Sequence, residues 1–295
     1  MRILYTSDIH VDDRHLQAMC AVALDQAVDA LIIGGDLIPH HLPRLTAKDL
    51  LEAQTDYLEK VLVPKISELK RKKDIPVYLD LGNDDLYGAR KVLEALDDGL
   101  IYLLHLRKHP LTKEVDVIGY MTVPPTPFQR KDWEKPDSRQ TPYEPGNRIL
   151  VDGYVSRSGV IEPTVLDLDS EDTIESDLTA LSRRIERPFV FVAHSPPHDT
   201  PLDVLADGAH VGSRSIREFI ETWAAKKMLI ASLHGHIHES PFRSGAVQTR
   251  IGNALCINPG QAAAFRYVIL ELAWPSRRTG AAHPEIALSA LPDDI

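Results

Sequence analysis

The sequence predicts an α/β protein with parallel pairing among its early strands. Three observations predict it: short apolar runs bounded by Gly, Asp and Asn, stretches of helical apolar spacing between them, and metal-binding residue types at the end of one run after another.

The chain opens on a strand-like run, Arg2-Ile3-Leu4-Tyr5-Thr6-Ser7, that ends in Asp8-Ile9-His10. From Leu16 to Val28 the spacing is helical, with Leu16, Met19, Cys20, Ala23, Leu24 and Ala27 on one face. Ala30-Leu31-Ile32-Ile33 is a second strand, stopped by Gly34-Gly35-Asp36. A long amphipathic stretch from about Thr46 to Lys73 follows, in which Pro64 marks a kink or a break. Ile75 to Leu81 is a third strand and ends in Gly82-Asn83-Asp84-Asp85.

In the middle, Ile101-Leu104 and Val115-Tyr120 read as strands. Pro124 to Pro145 then holds six prolines, too many for a helix or a central strand. This excursion, about 122–150, is either a surface detour or a lid or substrate-lining loop. Arg130, Lys131, Arg139 and Arg148 are its candidate anion contacts. Beyond it a helix is expected from about Glu171 to Ile185, capped by Ser170. Pro188-Ala193 is a strand ending in His194-Ser195-Pro196-Pro197-His198, and Ser213 caps a helix running to about Lys227. Met228-Ser232 leads into Leu233-His234-Gly235-His236-Ile237-His238-Glu239, and on an extended backbone His236 and His238 would address one volume. Gly235 leaves room for close backbone approach or a positive φ just before them. Short strands near Ala254-Ile257, Tyr267-Leu272 and Ile286-Leu291 close the pattern, with a tight turn at Asn258-Pro259-Gly260. No internal repeat and no linker composition interrupts the chain, so a single domain over 1–295 is expected.

Composition bounds the function. With 33 basic and 43 acidic residues the net charge is −10, which argues against nucleic acid or an anionic membrane as partner. No apolar run approaches the roughly 18 residues of a membrane span. Cys20 and Cys256 offer no disulfide framework and suit a reducing compartment. The first residues lack the pattern of a signal peptide, so a cytoplasmic location is expected, with the oligomeric state left open.

Five apolar segments end in hard or borderline metal donors: Asp8 and His10, Asp36, Asn83 with Asp84 and Asp85, His194, and His236 with His238. Open α/β sheets build their sites at such carboxyl ends. A mixed imidazole and carboxylate set suits Mn²⁺, Fe or Zn²⁺, and the absence of cysteine argues against a closed structural zinc site. Seven donors are too many for one tetrahedral ion and suit two ions sharing a carboxylate, the clamp used for displacement at phosphorus.

In order and spacing these blocks resemble the calcineurin-like metallophosphoesterases: Asp-x-His at Asp8 and His10, Gly-Asp at Gly35-Asp36, Gly-Asn-His-Asp at Gly82-Asn83-Asp84-Asp85, the lone His194, and Gly-His-x-His at Gly235 to His238. His194 to His198 and His210-Val211-Gly212-Ser213 look like a small bacterial and archaeal subgroup. The resemblance implies a four-layer α-β-β-α sandwich of two mixed β-sheets flanked by helices. It implies one metal on Asp8, His10, Asp36 and His238, and a second on Asp36, Asn83, His194 and His236. It implies hydrolysis of a small phosphorylated substrate by a hydroxide bridging two divalent ions, Mn for activity, with phosphodiesters ahead of phosphomonoesters. His234 falls outside the motif.

The chain departs from the family at Asp84, where a His is expected to contact phosphate and protonate the leaving group. An ionised aspartate does neither. Asp84 and Asp85 are the candidate catalytic residues, because adjacent carboxylates raise one another's pKa and a protonated one can donate. His40, His41, His198 and His210 are candidate replacements for the missing imidazole, the last two also as substrate contacts. The rival reading is a non-catalytic metal-binding interaction module on the same scaffold.

Overall fold

The computed structural model describes residues 1–39, 46–142, 148–273 and 284–290. Among them β1 (Arg2–Thr6), β2 (Ala30–Ile33), β3 (Val77–Leu79) and β4 (Tyr102–Leu103) alternate with α1 (Asp13–Asp25), α2 (Ala47–Tyr57), α3 (Val63–Lys72) and the short α4 (Lys91–Glu94). β5 (Lys108–Pro110), β6 (Asp116–Tyr120), β7 (Asp152–Val155) and β8 (Glu162–Val165) precede α5 (Ile174–Ser182). β9 (Phe189–Ala193), α6 (Arg214–Ala225), β10 (Leu229–Leu233) and α7 (Ser240–Ser244) follow. β11 (Gln248–Ile251), β12 (Ala254–Ile257), β13 (Val268–Ala273) and β14 (Glu285–Ala290) complete the described chain.

Two mixed six-stranded sheets result, ordered β14-β13-β1-β2-β3-β4 and β11-β12-β10-β9-β6-β5. In the first, β1 through β4 pair in parallel as expected, and β13 and β14 add antiparallel. In the second, β12, β10, β9 and β6 are parallel, with antiparallel β11 and β5 at the edges. Strand β9 shows why the sheets stack. Its Val190 and Val192 join the core shared with the first sheet, while Phe189, Phe191 and Ala193 face α5 and α6. Alternating side chains on a strand buried on both faces serve two cores at once. With α1 and α3 packed on the outer face of the first sheet, the layers are helix, sheet, sheet, helix.

Several local expectations shift. Helix α1 ends at Asp25, and Ala27, past the end at φ +51° and exposed, leaves the apolar face. Pro64 does not break its helix: Leu58–Leu62 winds as one wider π turn joining α2 to α3, which relieves the clash between a proline ring and the preceding turn. Helix α5 is capped by Thr173, whose hydroxyl accepts from Ser176 N–H, and not by Ser170. Ser213 does cap α6, accepting from Ile216 N–H.

The proline-rich excursion is a built wall. Trp133 is buried, donates its indole N–H to the Asp85 carbonyl at 3.0 Å, and packs on Tyr87 and His105. Asp132 accepts from Tyr87 N–H and Ser156 N–H, and Asp137 accepts from Ser213, Arg214 and Ser215 at the start of α6. The described part of the segment crosses from one sheet's loops to the other's helix.

Candidate metal centre and pocket

The loops after β1, β2, β3, β9 and β10 meet at one end of the sheets because hydrogen bonds cross-link them. Asp8 N–H donates to Gly35 O at 3.0 Å, His10 N–H to Asp36 O at 3.3 Å, and Gly235 N–H to His194 O at 3.0 Å. The Asp8 carboxylate accepts His236 N–H at 3.0 and 3.1 Å, and Asp36 accepts Asp84 N–H at 2.9 Å. Asp8, Asp36 and His236 all hold left-handed backbone, at φ 56°, 52° and 67°. Each such turn costs about 1–3 kcal/mol and persists only where surrounding contacts over-determine it, a signature of functional sites.

Two glycines make the approach possible. A Cβ on Gly82 would stand 2.2 Å from Asp36 Oδ1, and one on Gly235 would stand 2.0 Å from Ser7 Oγ and 2.3 Å from Asp8 Oδ2. Of the two roles open to Gly235, close approach is the one it serves, and the positive φ falls on His236.

Asp8, His10, Asp36 and His238 each offer a donor atom within 4.8 Å of the others, the dimension of a site that could hold one cation. His10 Nε2 and His238 Nε2 face one another at 3.1 Å. Beside them, His194 Nε2 lies 3.0 Å from Asn83 Oδ1 and 3.3 Å from Asp36 Oδ2, with the His236 ring 5.3 Å from the His194 ring. Asp36 Oδ2 is also 3.9 Å from His10 Nε2, so this carboxylate stands between the two groups. His236 and His238 do not share one side as an extended strand would require. The left-handed turn sends them to different groups.

The tautomers suit this chemistry. His194 Nδ1 lies 2.7 Å from Gly34 O, and a carbonyl can only accept, so Nδ1 carries the proton and Nε2 faces the carboxylates. Burial alone would raise the Asp8 and Asp36 carboxyls, but the histidines around them outweigh it and hold both below the usual carboxylate range. Against the opposing effect of burial, the Asp36 and Asp8 charges lift His194 to about 9, and Asp8 raises His238. Burial drives His236 down to about 4. Two buried carboxylates thus draw positive charge onto neighbouring imidazoles, which is the demand a divalent cation meets. The donor set, oxygen and imidazole nitrogen without sulfur, fits one.

An adjoining pocket of about 400 Å³ is lined by Asp36, Asn83, Asp84, His236 and His238 on one side. Pro124, Pro125, Pro127 and Phe128 form an apolar wall, Leu205, Val211 and Ile237 face the same space, and Arg148 and Glu239 are among its polar lining. A larger cleft of about 670 Å³ lies at the amino ends of β9 and β10, near Pro188 and Lys227, away from these donors.

Other sequence candidates are corrected. Asp85 is buried and accepts Leu37, Ile38 and Gly82 N–H groups at 2.9, 3.1 and 3.0 Å, so it shapes the loops carrying Asp36 and Asn83 and does not line the pocket. Burial, then Asp36, raises its carboxyl to about 8. Lys131 turns inward to a buried pair with Glu134 at 2.8 Å, and Arg139 pairs at the surface with Glu171. His210 and His198 flank Asp203, at 2.7 and 3.6 Å, and neither lines the pocket. His40 and His41 lie outside the described residues. His234 is buried against the Ala193 and Ser195 carbonyls, pushed down to about 4 by burial. Arg130 does reach the site, in direct contact with Asp84.

Comparison with known proteins bears on this arrangement. The calcineurin-like phosphoesterase pattern matches residues 1–240. Among curated proteins, none matches the sequence. A solved Thermus thermophilus protein, TT1561, is 17% identical, with 97% of this chain and 98% of that one covered and a TM-score of 0.54. A putative 5'-nucleotidase from Staphylococcus aureus, solved with α-ketoglutarate, is 13% identical over 98% of this chain and 53% of its own, with a TM-score of 0.53. At these identities the two structures speak for the fold alone. The family pattern spans the loops that deliver Asp8, Asp36, Asn83, His194 and His238 to one place, and on that match the chain belongs to the calcineurin-like phosphoesterases.

Proposed function

We propose that the protein hydrolyses a phosphate ester, with phosphodiesters ahead of phosphomonoesters, using two divalent cations of which Mn²⁺ supports activity. The observation that carries this reading is the convergence of Asp8, His10, Asp36 and His238 within 4.8 Å beside His194 and Asn83, next to a pocket that Asp36, Asn83 and His238 line. One cation would sit on Asp8, His10, Asp36 and His238, the other on Asp36, Asn83, His194 and His236. Bound cations supply a water of lowered pKa and neutralise charge on the phosphoryl oxygens.

The chain's own residues do the rest. Asp36 holds the two donor groups in register through its carboxylate, and the Gly34 carbonyl fixes the His194 ring so that Nε2 is the nitrogen that would give up its proton to a cation. The Pro124 to Phe128 wall excludes water from one side and offers apolar surface to an organic substituent of the ester. No neutral imidazole donor stands at Asp84, so esters with good leaving groups are favoured. The pocket's size supports a small substrate, and the net charge of −10 argues against nucleic acid. No helix of the described residues is long and apolar enough to cross a membrane. A cytoplasmic location belongs to the same proposal, supported by two cysteines that are both free.

The test is hydrolysis of bis-p-nitrophenyl phosphate and p-nitrophenyl phosphate with Mn²⁺, with EDTA and Asp36→Ala as controls. Metal-dependent turnover, faster on the diester, is expected. No metal-dependent turnover of either would favour an interaction module on the same scaffold.

A further inference from the structure

We propose that Arg130, standing just behind the pocket-lining Asp84, contacts phosphate as it enters the pocket and that Asp84 is its positioning residue, the two together standing where the sequence lacks an imidazole. The proposal rests on the phosphoesterase reading and specifies how the substrate is held. Asp84 Oδ1 is in direct contact with an Arg130 Nη, and Asp84 Oδ2 lies 3.4 Å from His10 Nδ1. A carboxyl group set between a guanidinium and an imidazole is a fixed partner that aims both groups.

Arg130 is placed by backbone. Tyr154 of β7 donates its N–H to Gln129 O and accepts from Lys131 N–H, both at 2.9 Å, so the hairpin of β7 and β8 clamps the residues on either side of Arg130. Asp132 and Trp133 then anchor the same segment to Ser156, Tyr87 and Asp85. The guanidinium is delivered on a rigid wall, with its side chain only 22% exposed.

Its bonding is incomplete. Arg130 Nε is buried and has no hydrogen-bond partner among the described residues. Asp84 engages one edge of a group that carries five N–H donors, and a phosphoryl oxygen matches the remainder in geometry and charge. Charge gives the same answer. Asp36, Asp84 and Glu239 line the pocket together with Arg148, and Arg130 behind Asp84 adds a second positive side chain for an entering anion. Lys131 and Arg139 are turned away to Glu134 and Glu171, and Arg148 pairs with Asp207.

The experiment compares the parent with Arg130→Ala, Arg130→Lys and Asp84→Asn. Three quantities are read on the Mn²⁺-loaded protein: the KM and kcat for bis-p-nitrophenyl phosphate, the affinity for inorganic phosphate by calorimetry, and the affinity for Mn²⁺. Arg130→Ala is expected to weaken phosphate binding and raise KM by about ten- to a hundredfold, the size of a lost charge-assisted hydrogen bond. Mn²⁺ affinity should stay within about twofold, Arg130→Lys should recover part of the loss, and Asp84→Asn should raise KM more than it lowers kcat. Unchanged phosphate affinity in a folded Arg130→Ala or Arg130→Lys protein overturns the proposal, as does a loss confined to Mn²⁺ affinity. If the parent binds phosphate but turns over nothing, the hydrolytic reading fails while the calorimetry still decides Arg130.

Discussion

His10 Nε2 and His238 Nε2 stand 3.1 Å apart although 228 residues separate them in the chain. Both rings present a nitrogen to the same point, next to Asp8 Oδ1 at 3.3 Å from His238. Two imidazole nitrogens so placed either share a proton or share a cation, and Asp8 and Asp36 beside them favour the cation. Mn²⁺ at about a hundred times its Kd should therefore stabilise the fold by about 2.7 kcal/mol, raising Tm by roughly 4 °C. Thermal unfolding with and without EDTA measures the shift, and His238→Ala should abolish most of it.

Gly82 touches the same centre from below. Gly82→Ala places a methyl 2.2 Å from Asp36 Oδ1 and 2.5 Å from Asp36 N, so Asp36 must move. The variant should fold, lose Mn²⁺ affinity by at least about tenfold, and lose turnover in proportion. Calorimetric titration with Mn²⁺ reads the first quantity directly, and retained parental affinity would show that Asp36 is not a shared ligand.

The apolar wall should select substrates that share one leaving group. Phe128, 49% exposed, lies on the wall with Pro124, Pro125 and Pro127. Phe128→Ala should raise KM several-fold for a p-nitrophenyl diester whose second substituent is phenyl. The methyl analogue, which has no ring to pack there, should be unaffected. Steady-state kinetics on the pair provide the check.

Acid should weaken the protein through His105, far along the chain from the metal donors. His105 accepts Met121 N–H on Nδ1 at 3.0 Å and packs against Tyr120 and Trp133. Burial depresses its pKa from 6.5 to about 3. A depressed folded pKa means stability that is present above 6.5 and lost as pH falls towards 3, at about 1.4 kcal/mol per unit at most. Denaturant midpoints in EDTA between pH 7 and pH 4 should fall less steeply in His105→Gln, which keeps an acceptor for Met121.

The sheets and the donor set were legible in the sequence because both are written locally. Apolar runs such as Phe189–Ala193 are buried on both faces, and each ends in the residue that turns into the site. The hairpin of β7 and β8 left no such trace: none of its strand residues is buried, it contains Pro163, and no buried face imposes a period of two. Strands β5 and β11, three and four residues at sheet edges, were hidden for the same reason. Lys131 looked like an anion contact, although Glu134 three residues on was the available sign of an ion pair. Arg130 was among the candidates, but its partner Asp84 lies 46 residues away, and no local pattern connects them.

If Asp36 unites two cation sites, hydrolysis of a phosphodiester depends on both the cation and this carboxylate. The most direct measurement is the initial rate of bis-p-nitrophenyl phosphate hydrolysis as Mn²⁺ is titrated into EDTA-treated protein, with the parent and Asp36→Ala run side by side. The rate should climb to a plateau in the parent and stay at background in Asp36→Ala. A parent that remains at background under saturating Mn²⁺, or an Asp36→Ala protein as fast as an active parent, would show that Asp36 does not join two hydrolytic cation sites.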